Sequence, residues 1–331
     1  YATAFVLALP EERWAPLLPP EHFAQLERMA ELMVHVTRPG GRMAQVGDND
    51  SGRFLKLLPP RDLSTLEEDF LDPRDSVAAL NGLVRRADLA AFAGEPRVET
   101  ELVRGLTGRA PAGAAPGDVA RAERVRVGGE EAWSFLAEAP AGLAHATEFA
   151  APGADLRDGA RLFAYPDFGL YVFRSPRLFL AVRCGRRGQI ATDGHAHLDE
   201  LAVELTVDGR DVIADPGTYL YTALPARRNE YRSARAHFVP RRLAERADAA
   251  LSGSLFELRG APVGECLYWG PRGFVGRVVV DGAEVVRAVE VGAERVGVTD
   301  LVRSGGGWVE AGAPMVPEVP FSPGYGKRAV P

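Results

Sequence analysis

Apolar positions in the N-terminal third recur at helical steps. In "PPEHFAQLERMAELMVHVTRPGG", Phe23, Leu26, Met29, Met33 and Val36 lie three or four apart, which predicts one apolar helix face. Pro19 and Pro20 precede that helix and Pro39-Gly40-Gly41 ends it. "STLEEDFL" places Ser64 and Glu67 at capping-box spacing. "DSVAALNGLVRRADLAAFAG" predicts a further helix, capped at Asp75 or Ser76 and stopped at Gly94. Several antiparallel helices with short connections fit these signals.

The period then changes. Gly105 to Glu131 is rich in Ala, Gly, Pro and charge and reads as a linker or a loose final helix. Beyond it, "GLYVFRS" and "RLFLAVRCG" read as strands parted by Ser175-Pro176. "LAVELTVDGRDVIAD" predicts a hairpin turning at Asp208-Gly209. "GFVGRVVV", "AEVVRAVEV" and "ERVGVTDLV" add more strands. A block of helices followed by a block of strands implies an α+β multidomain chain, helical first and then an antiparallel sandwich. No internal repeat is visible.

Composition adds limits. The 331 residues are 46% hydrophobic and 25% charged, enough for a large core or two domains. Mean hydropathy is −0.09, and no apolar run is long enough to span a bilayer. "YATAFVLALPEE" lacks a basic leader and reads as the end of a core helix. The chain starts at Tyr1 already in apolar pattern, so we expect a fragment whose upstream part is missing. A net charge of −6 argues against a nucleic-acid partner. Cys184 and Cys266 lie far apart with no CxxC, which excludes a disulfide framework and leaves a single bridge open.

The chemistry concentrates around the hairpin. Two of the six histidines, His195 and His197, stand in "DGHAHLDEL", followed by Asp199. Asp215 ends the hairpin in "IADPGTY". "RRNEYRSARAHFVPRR" carries Arg227, Arg228, Arg232, Arg235, Arg241 and Arg242 and includes His237. Two imidazoles and a carboxylate suit zinc with one open position. In a two-residue-loop hairpin, however, Asp215 faces Ala202, and five residues of strand span roughly 17 Å. The "GHAHLDE" segment must therefore bend back for the three to meet. The alternative is that His197 and Asp215 are hydrogen-bonded loop residues.

The run "RCGRRGQIATDGHAHLDELAVELTVDGRDVIADPGTYLY…RRNEYRSARAH" resembles the C-terminal region of the heparinase II/III-like family of polysaccharide lyases. "YPDFGLYVFRS", "VTRPGGRMAQVGDNDSGR" and "SPGYGKR" extend the resemblance over most of the chain. It implies the C-terminal part of an (α/α) toroid at residues 1–110, a linker at 111–158 and a stacked antiparallel β-sandwich at 159–331. It also implies that His197, Asp215 and His237 hold zinc while His195 looks toward the substrate. Phe238 stands where many members carry Asn, so a polar group near the site is lost.

The implied activity is β-elimination on an acidic, uronic-acid-containing polysaccharide. That reaction removes a weakly acidic proton alpha to a carboxylate. It needs a base, an acid for the leaving oxygen and stabilisation of the enolate. His195, Tyr219 and Tyr231 are the candidates for proton transfer, with Tyr221 nearby, provided adjacent cations lower a tyrosine pKa. Arg228 and Arg232 can grip a carboxylate with a guanidinium fork. The alternative for the basic segment is a solvated loop paired with Glu230 and Glu245. Asp48, in "GDNDSGR", is expected either to cap a turn or to help shape the substrate cleft. The family's principal catalytic tyrosine and its Asn or His partner lie upstream of this segment. Asp199 is expected to cap the start of the strand, and His22, His35 and His145 to be structural or solvated. Two other functions fit the same residues: a non-catalytic carbohydrate-binding or scaffold protein, and a hydrolase or modifying enzyme for capsule or exopolysaccharide.

Overall fold

The structure is a computed structural model describing residues 1–49, 57–59, 61, 67–108, 126–185, 193–252, 254–258 and 260–329. Ser64 of the expected capping box, Asp50 and Ser51 of "GDNDSGR", and all of "RRGQIAT" lie outside the described residues. The chain divides into two compact units, Tyr1–Met43 with Ser51–Val119, and Ala44–Asp50 with Ala120–Pro331.

The first unit is helical. Its elements are α1 (Ala2–Leu7), α2 (Glu11–Trp14), α3 (Pro20–Val36), α4 (Arg74–Val84), α5 (Ala87–Ala93) and α6 (Val98–Thr107). Pro20 sits in the first turn of α3, where its missing N–H costs nothing. Phe23 and Leu26 pack with Leu7, Leu83 and Val103, and Met33 packs with Val77 and Ala78. Met29, expected on the same face, is 49% exposed, because Ala30 takes the buried place.

The helix expected to run unbroken to Gly94 is two helices. Arg85 adopts a left-handed backbone with φ 57° and ends α4. Asn81 holds the break: its side-chain oxygen accepts from the Arg86 N–H at 2.7 Å. Gly94, with φ 72°, ends α5 as expected.

The second unit carries two antiparallel sheets. β1 (His145–Ala150) lies within the stretch read as a linker. β2 (Arg161–Tyr165), β3 (Leu170–Arg174), β4 (Leu178–Arg183), β5 (Val203–Val207) and β6 (Arg210–Ile213) form a five-stranded meander. β7 (Gly264–Gly270), β8 (Gly273–Val280), β9 (Ala283–Val291) and β10 (Arg295–Ser304) join β1 in the order β1-β10-β9-β8-β7. β11 (Gly307–Val309) pairs with β10. Phe173, Leu180 and Leu205 of the first sheet share one core with Val285, Val289 and Val298 of the second. Trp133 packs in a separate cluster with Tyr268, Val286 and Leu301. Among the described residues the unit also has the short α-helices α7 (Phe135–Glu138), α8 (Pro225–Arg232) and α9 (Arg241–Arg246).

The hairpin turns where the sequence predicts. Val207 pairs with Arg210 across Asp208 and Gly209, whose φ values are 49° and 75°. Two positive φ values in a two-residue loop are the twist-matched geometry for joining antiparallel strands. A register shift between Leu205 and Thr206 then interrupts the ladder, and β6 stops at Ile213, so Asp215 leaves the sheet.

One buried ion pair ties the second sheet to the segments that carry the site. Arg287 and Asp300 are cross-strand partners on β9 and β10 and form two hydrogen bonds of 2.7 Å. Arg287 also donates to the carbonyls of Leu201 at 2.8 Å and Phe238 at 2.6 Å. Neither partner reaches solvent.

Candidate functional site

All the residues that build the site belong to the second unit, including the short segment Ala44–Asp50. The segment 193–201 carries both histidines and is not a strand. It turns at Asp193 (φ 49°) and again at Leu201 (φ 62°). Its backbone is held from two directions: Leu198 N–H donates to the Arg232 carbonyl and Leu201 N–H to the Arg183 carbonyl, at 2.9 and 2.7 Å. This is the bend that the hairpin geometry demanded.

Asp48 is the centre of the arrangement. Its Oδ1 accepts from His197 Nε2 at 3.0 Å, and its Oδ2 from His195 Nδ1 at 3.2 Å and from an Arg228 Nη2–H. The carboxylate is fully buried, as is Arg228. Burial pushes the Asp48 pKa up, but the hydrogen bond and charge of His197, then those of Arg228, outweigh it and hold it below the usual value. A group buried this way organises its neighbours. Asp48, expected to cap a turn or help shape a cleft, is bonded here to His195, His197 and Arg228.

The backbone around Asp48 is equally committed. Asp48 N–H donates to the His195 carbonyl at 2.8 Å, and Asn49 N–H to Thr218 Oγ1 at 2.7 Å. Gly47 has φ +66°, and a Cβ there would fall 2.6 Å from the His195 carbonyl oxygen. Only glycine permits that approach.

His195 and His197 point to different surroundings. The His195 side chain is 69% exposed, while that of His197 is 1% exposed. Asp48 accepts from both rings, so His195 carries its proton on Nδ1 and keeps its basic lone pair on Nε2. His195 therefore presents an oriented basic nitrogen beside solvent. Tyr221 and Phe256 flank it with ring centroids at 5.9 and 5.7 Å.

The His–Asp–His trio does come together. His237 Nδ1 donates to Asp215 Oδ2 at 2.5 Å, and the His237 and His197 rings lie 5.3 Å apart. Burial alone would lower the His237 pKa; the Asp215 charge and hydrogen bond, aided by Asp199 and Glu204, raise it overall. Asp215 Oδ1 accepts from Gly217 N–H at 2.9 Å, closing the turn at Pro216-Gly217. Both oxygens of Asp215 thus have partners. His197 Nδ1 and His237 Nε2 are buried and without hydrogen-bond partners. Among the described residues no group of three His, Cys, Asp or Glu side chains is arranged to hold a metal ion. Within the trio His237 and Asp215 bond each other, while His197 bonds Asp48 and stands beside the His237 ring.

The two arginines expected to reach a substrate are internal in this structure. Arg228 donates to Gly194 O at 2.8 Å and to Leu255 O, besides Asp48. Arg232 donates to Ala196 O at 3.2 Å and Leu255 O at 2.6 Å. The reason is the helix they share: α8 turns Arg228, Tyr231 and Arg232 inward and leaves Arg227 and Glu230 outside, paired at 2.7 Å. Arg232 is so desolvated that its pKa falls to about 10.

Tyr231 runs against its expected role. Its hydroxyl donates to Pro320 O at 2.6 Å, and burial pushes its pKa up to about 12, where cations were expected to pull it down. Tyr219 is half-buried, with its ring 5.4 Å from Tyr231 and the Arg328 guanidinium 4.7 Å over it.

Several supporting groups were not anticipated. Asp199, expected to cap the start of the strand, is buried beside Arg183 at 3.8 Å. Gln45 N–H donates to Glu204 Oε1 at 2.7 Å, and its side chain donates to Asp215 O at 3.3 Å. Phe238 is buried against Arg287 and Phe149, so the residue replacing a polar group is part of the core. His145 lies on β1, His35 is buried and His22 bonds Thr3 Oγ1 at 2.9 Å. Cys184 and Cys266 are both free. No helix among the described residues is long and apolar enough to cross a membrane.

Comparison with known proteins gives one family. Residues 157–238 match the family model "Heparinase II/III-like, C-terminal". That span holds His195, His197, Asp215 and His237 but not Asp48, and the resemblance read from the sequence holds across it. No curated protein matches the chain. Among solved structures, a heparan sulfate lyase HepC mutant from Pedobacter heparinus overlaps at TM-score 0.46 and 14% identity, covering 89% of this chain and 35% of that one. A heparinase III gene product overlaps at TM-score 0.44 and 13% identity, covering 88% and 34%. Overlap this loose bears on neither mechanism nor substrate. The chain spans about a third of the length of these two structures.

Proposed function

We propose, from a chain whose residues 157–238 are heparinase II/III-like, that the protein is a polysaccharide lyase acting on a uronic-acid-containing polysaccharide by β-elimination. The observation that carries this reading is His195: solvent-facing, with Nδ1 anchored on the buried Asp48 carboxylate. In the elimination the proton alpha to the uronate carboxylate is removed. The electron pair forms the new C=C bond, the bond from C4 to the linking oxygen breaks, and that oxygen takes up a proton. His195 Nε2 serves one of these two transfers. Asp48 keeps the ring in the required tautomer and stabilises it when charged, as a carboxylate does for a catalytic imidazole. Tyr219 is the candidate for the other transfer within this chain. We read α1 to α6 as the end of an (α/α) toroid, with further catalytic groups supplied upstream.

Zinc enters this proposal as a site-organising ion that His197, Asp215 and His237 would hold; the unpartnered ring nitrogens His197 Nδ1 and His237 Nε2 support the reading. No proton transfer depends on it. Stoichiometric zinc in the purified protein, lost in His197→Ala, is the expected result; a metal-free protein with an unchanged melting temperature in His197→Ala overturns it.

The activity is tested with heparin, alginate and hyaluronan by following the ultraviolet band of an unsaturated uronate. The expected outcome is absorbance with at least one polymer, abolished in His195→Ala. A second reading, binding without catalysis, draws on the burial of Tyr231, Arg228 and Arg232. Retained binding with no absorbance from any polymer supports it. Release of saturated reducing ends supports a hydrolase instead.

A further inference from the structure

The aromatic rings around His195 form a connected surface. Tyr221 meets Phe256 at a centroid distance of 6.2 Å and Tyr325 at 5.8 Å, in both cases close to perpendicular. The rings come from three separate segments: the turn that follows Gly217, residues 254–258, and the C-terminal stretch. Tyr325 is 39% exposed, and Tyr221 and Phe256 are partly exposed.

Two of these rings have a rigid backing. The Arg228 guanidinium lies 4.4 Å from the Phe256 centroid and 5.5 Å from that of Tyr221. Its position is fixed by Asp48 and the Gly194 carbonyl. One buried cation therefore orients the proton-transfer histidine, through Asp48, and two of the rings beside it. Gly326 N–H donates to Tyr219 O at 2.8 Å, which ties the backbone next to Tyr325 to the same turn.

Single exposed aromatic side chains are ordinary, but a linked group of them rimming an oriented imidazole suits a ligand with one apolar face. A pyranose ring has such a face, made of C–H groups, with its hydroxyls directed outward to water. Tyrosine and phenylalanine lose little conformational freedom on contact.

We propose that Tyr221, Phe256 and Tyr325 form a stacking subsite for the sugar ring next to the one on which His195 acts. The occupant is a pyranose unit of the acidic polysaccharide, recognised by its C–H face rather than by its charge. This rests on the reading of His195 as the reacting group. It adds a source of selectivity that does not depend on arginine, which matters because Arg228 and Arg232 are spent inside the protein.

The test compares Tyr325→Ala and Tyr325→Phe with the wild-type chain. Calorimetric titration with uronate-containing oligosaccharides gives Kd, and the elimination assay gives KM and kcat. Tyr325→Ala is expected to weaken binding by about tenfold, the size of one aromatic contact. It should raise KM by more than it lowers kcat, with no change in Tm. Tyr325→Phe keeps the ring and should bind like wild type. The subsite is overturned if Tyr325→Ala binds as wild type does, if Tyr325→Phe is as weak as Tyr325→Ala, or if wild type binds no acidic oligosaccharide. The binding measurements alone decide the subsite; a wild-type protein that binds but yields no unsaturated product counts against elimination only.

Discussion

His195 and His197 are two residues apart and share one carboxylate, but they belong to different regions. His195 opens on a mouth of partly exposed rings, Tyr221, Phe256 and Tyr325. His197 lies in an interior of buried polar groups: Asp48, Arg228, Arg232, Asp215 and His237. The mouth offers groups that can act on a ligand. The interior holds them still, at the cost of burying charge. A residue type therefore says little about its surroundings here: one histidine faces solvent, the other is enclosed.

The comparison predicts that interior substitutions damage stability, while mouth substitutions damage activity alone. The largest effect is expected for Arg228→Met, which leaves Asp48 without its arginine. Breaking a buried ion pair from one side costs about 3–5 kcal/mol, so the midpoint of denaturant unfolding should fall sharply. If Arg228→Met unfolds like wild type, the interior is not the brace described here.

His195→Ala should show the opposite pattern. Removing a general acid or base lowers kcat by about 10²–10⁴-fold. Because the side chain is exposed, the melting temperature should not move. A matching loss of stability would place His195 with the interior.

Gly47→Ala joins the two regions. The left-handed backbone costs a non-glycine residue about 1–2 kcal/mol, and the methyl group also meets the His195 carbonyl. Reduced stability together with a lowered kcat is expected. An effect on stability with kcat intact would separate the Asp48 loop from the mouth.

The smallest effect is that of Tyr231→Phe. Losing the hydrogen bond to Pro320 O should cost about 1 kcal/mol. The Tyr231 pKa is raised from 10.0 to about 12 on folding, so its contribution is fully present below pH 10 and is lost as pH rises through 12. In Tyr231→Phe that part of the alkaline destabilisation should vanish. If kcat falls far more than stability does, the phenol has a catalytic part after all.

Local patterns carried much of the fold. Helical spacing identified α3, Gly94 marked a helix end, and Asp208-Gly209 marked the hairpin, because each depends on the conformational preferences of a few neighbouring residues. The break at Arg85 was hidden, since arginine has no preference for a left-handed backbone and Asn81 stabilises it from four residues away. β1 was hidden as well: its six residues gain strand identity only by pairing with β10, far along the chain.

For the site, composition and order were enough to single out His195, His197, Asp215 and His237. They could not say which of these faces water, nor that Asp48 is the hub. That depends on a contact across 147 residues of chain, made possible by a glycine that lets two backbones touch. The arginines of α8 illustrate the same limit. Their sequence showed a strong positive charge, and the charge suggested a ligand. The helix rotation and the carbonyls of Gly194, Ala196 and Leu255 turned Arg228 and Arg232 inward. The sequence by itself determined which chemical groups were available and where the chain would turn. Only the tertiary structure decided which groups lost their water, and burial is what separates a charge that braces from one that binds.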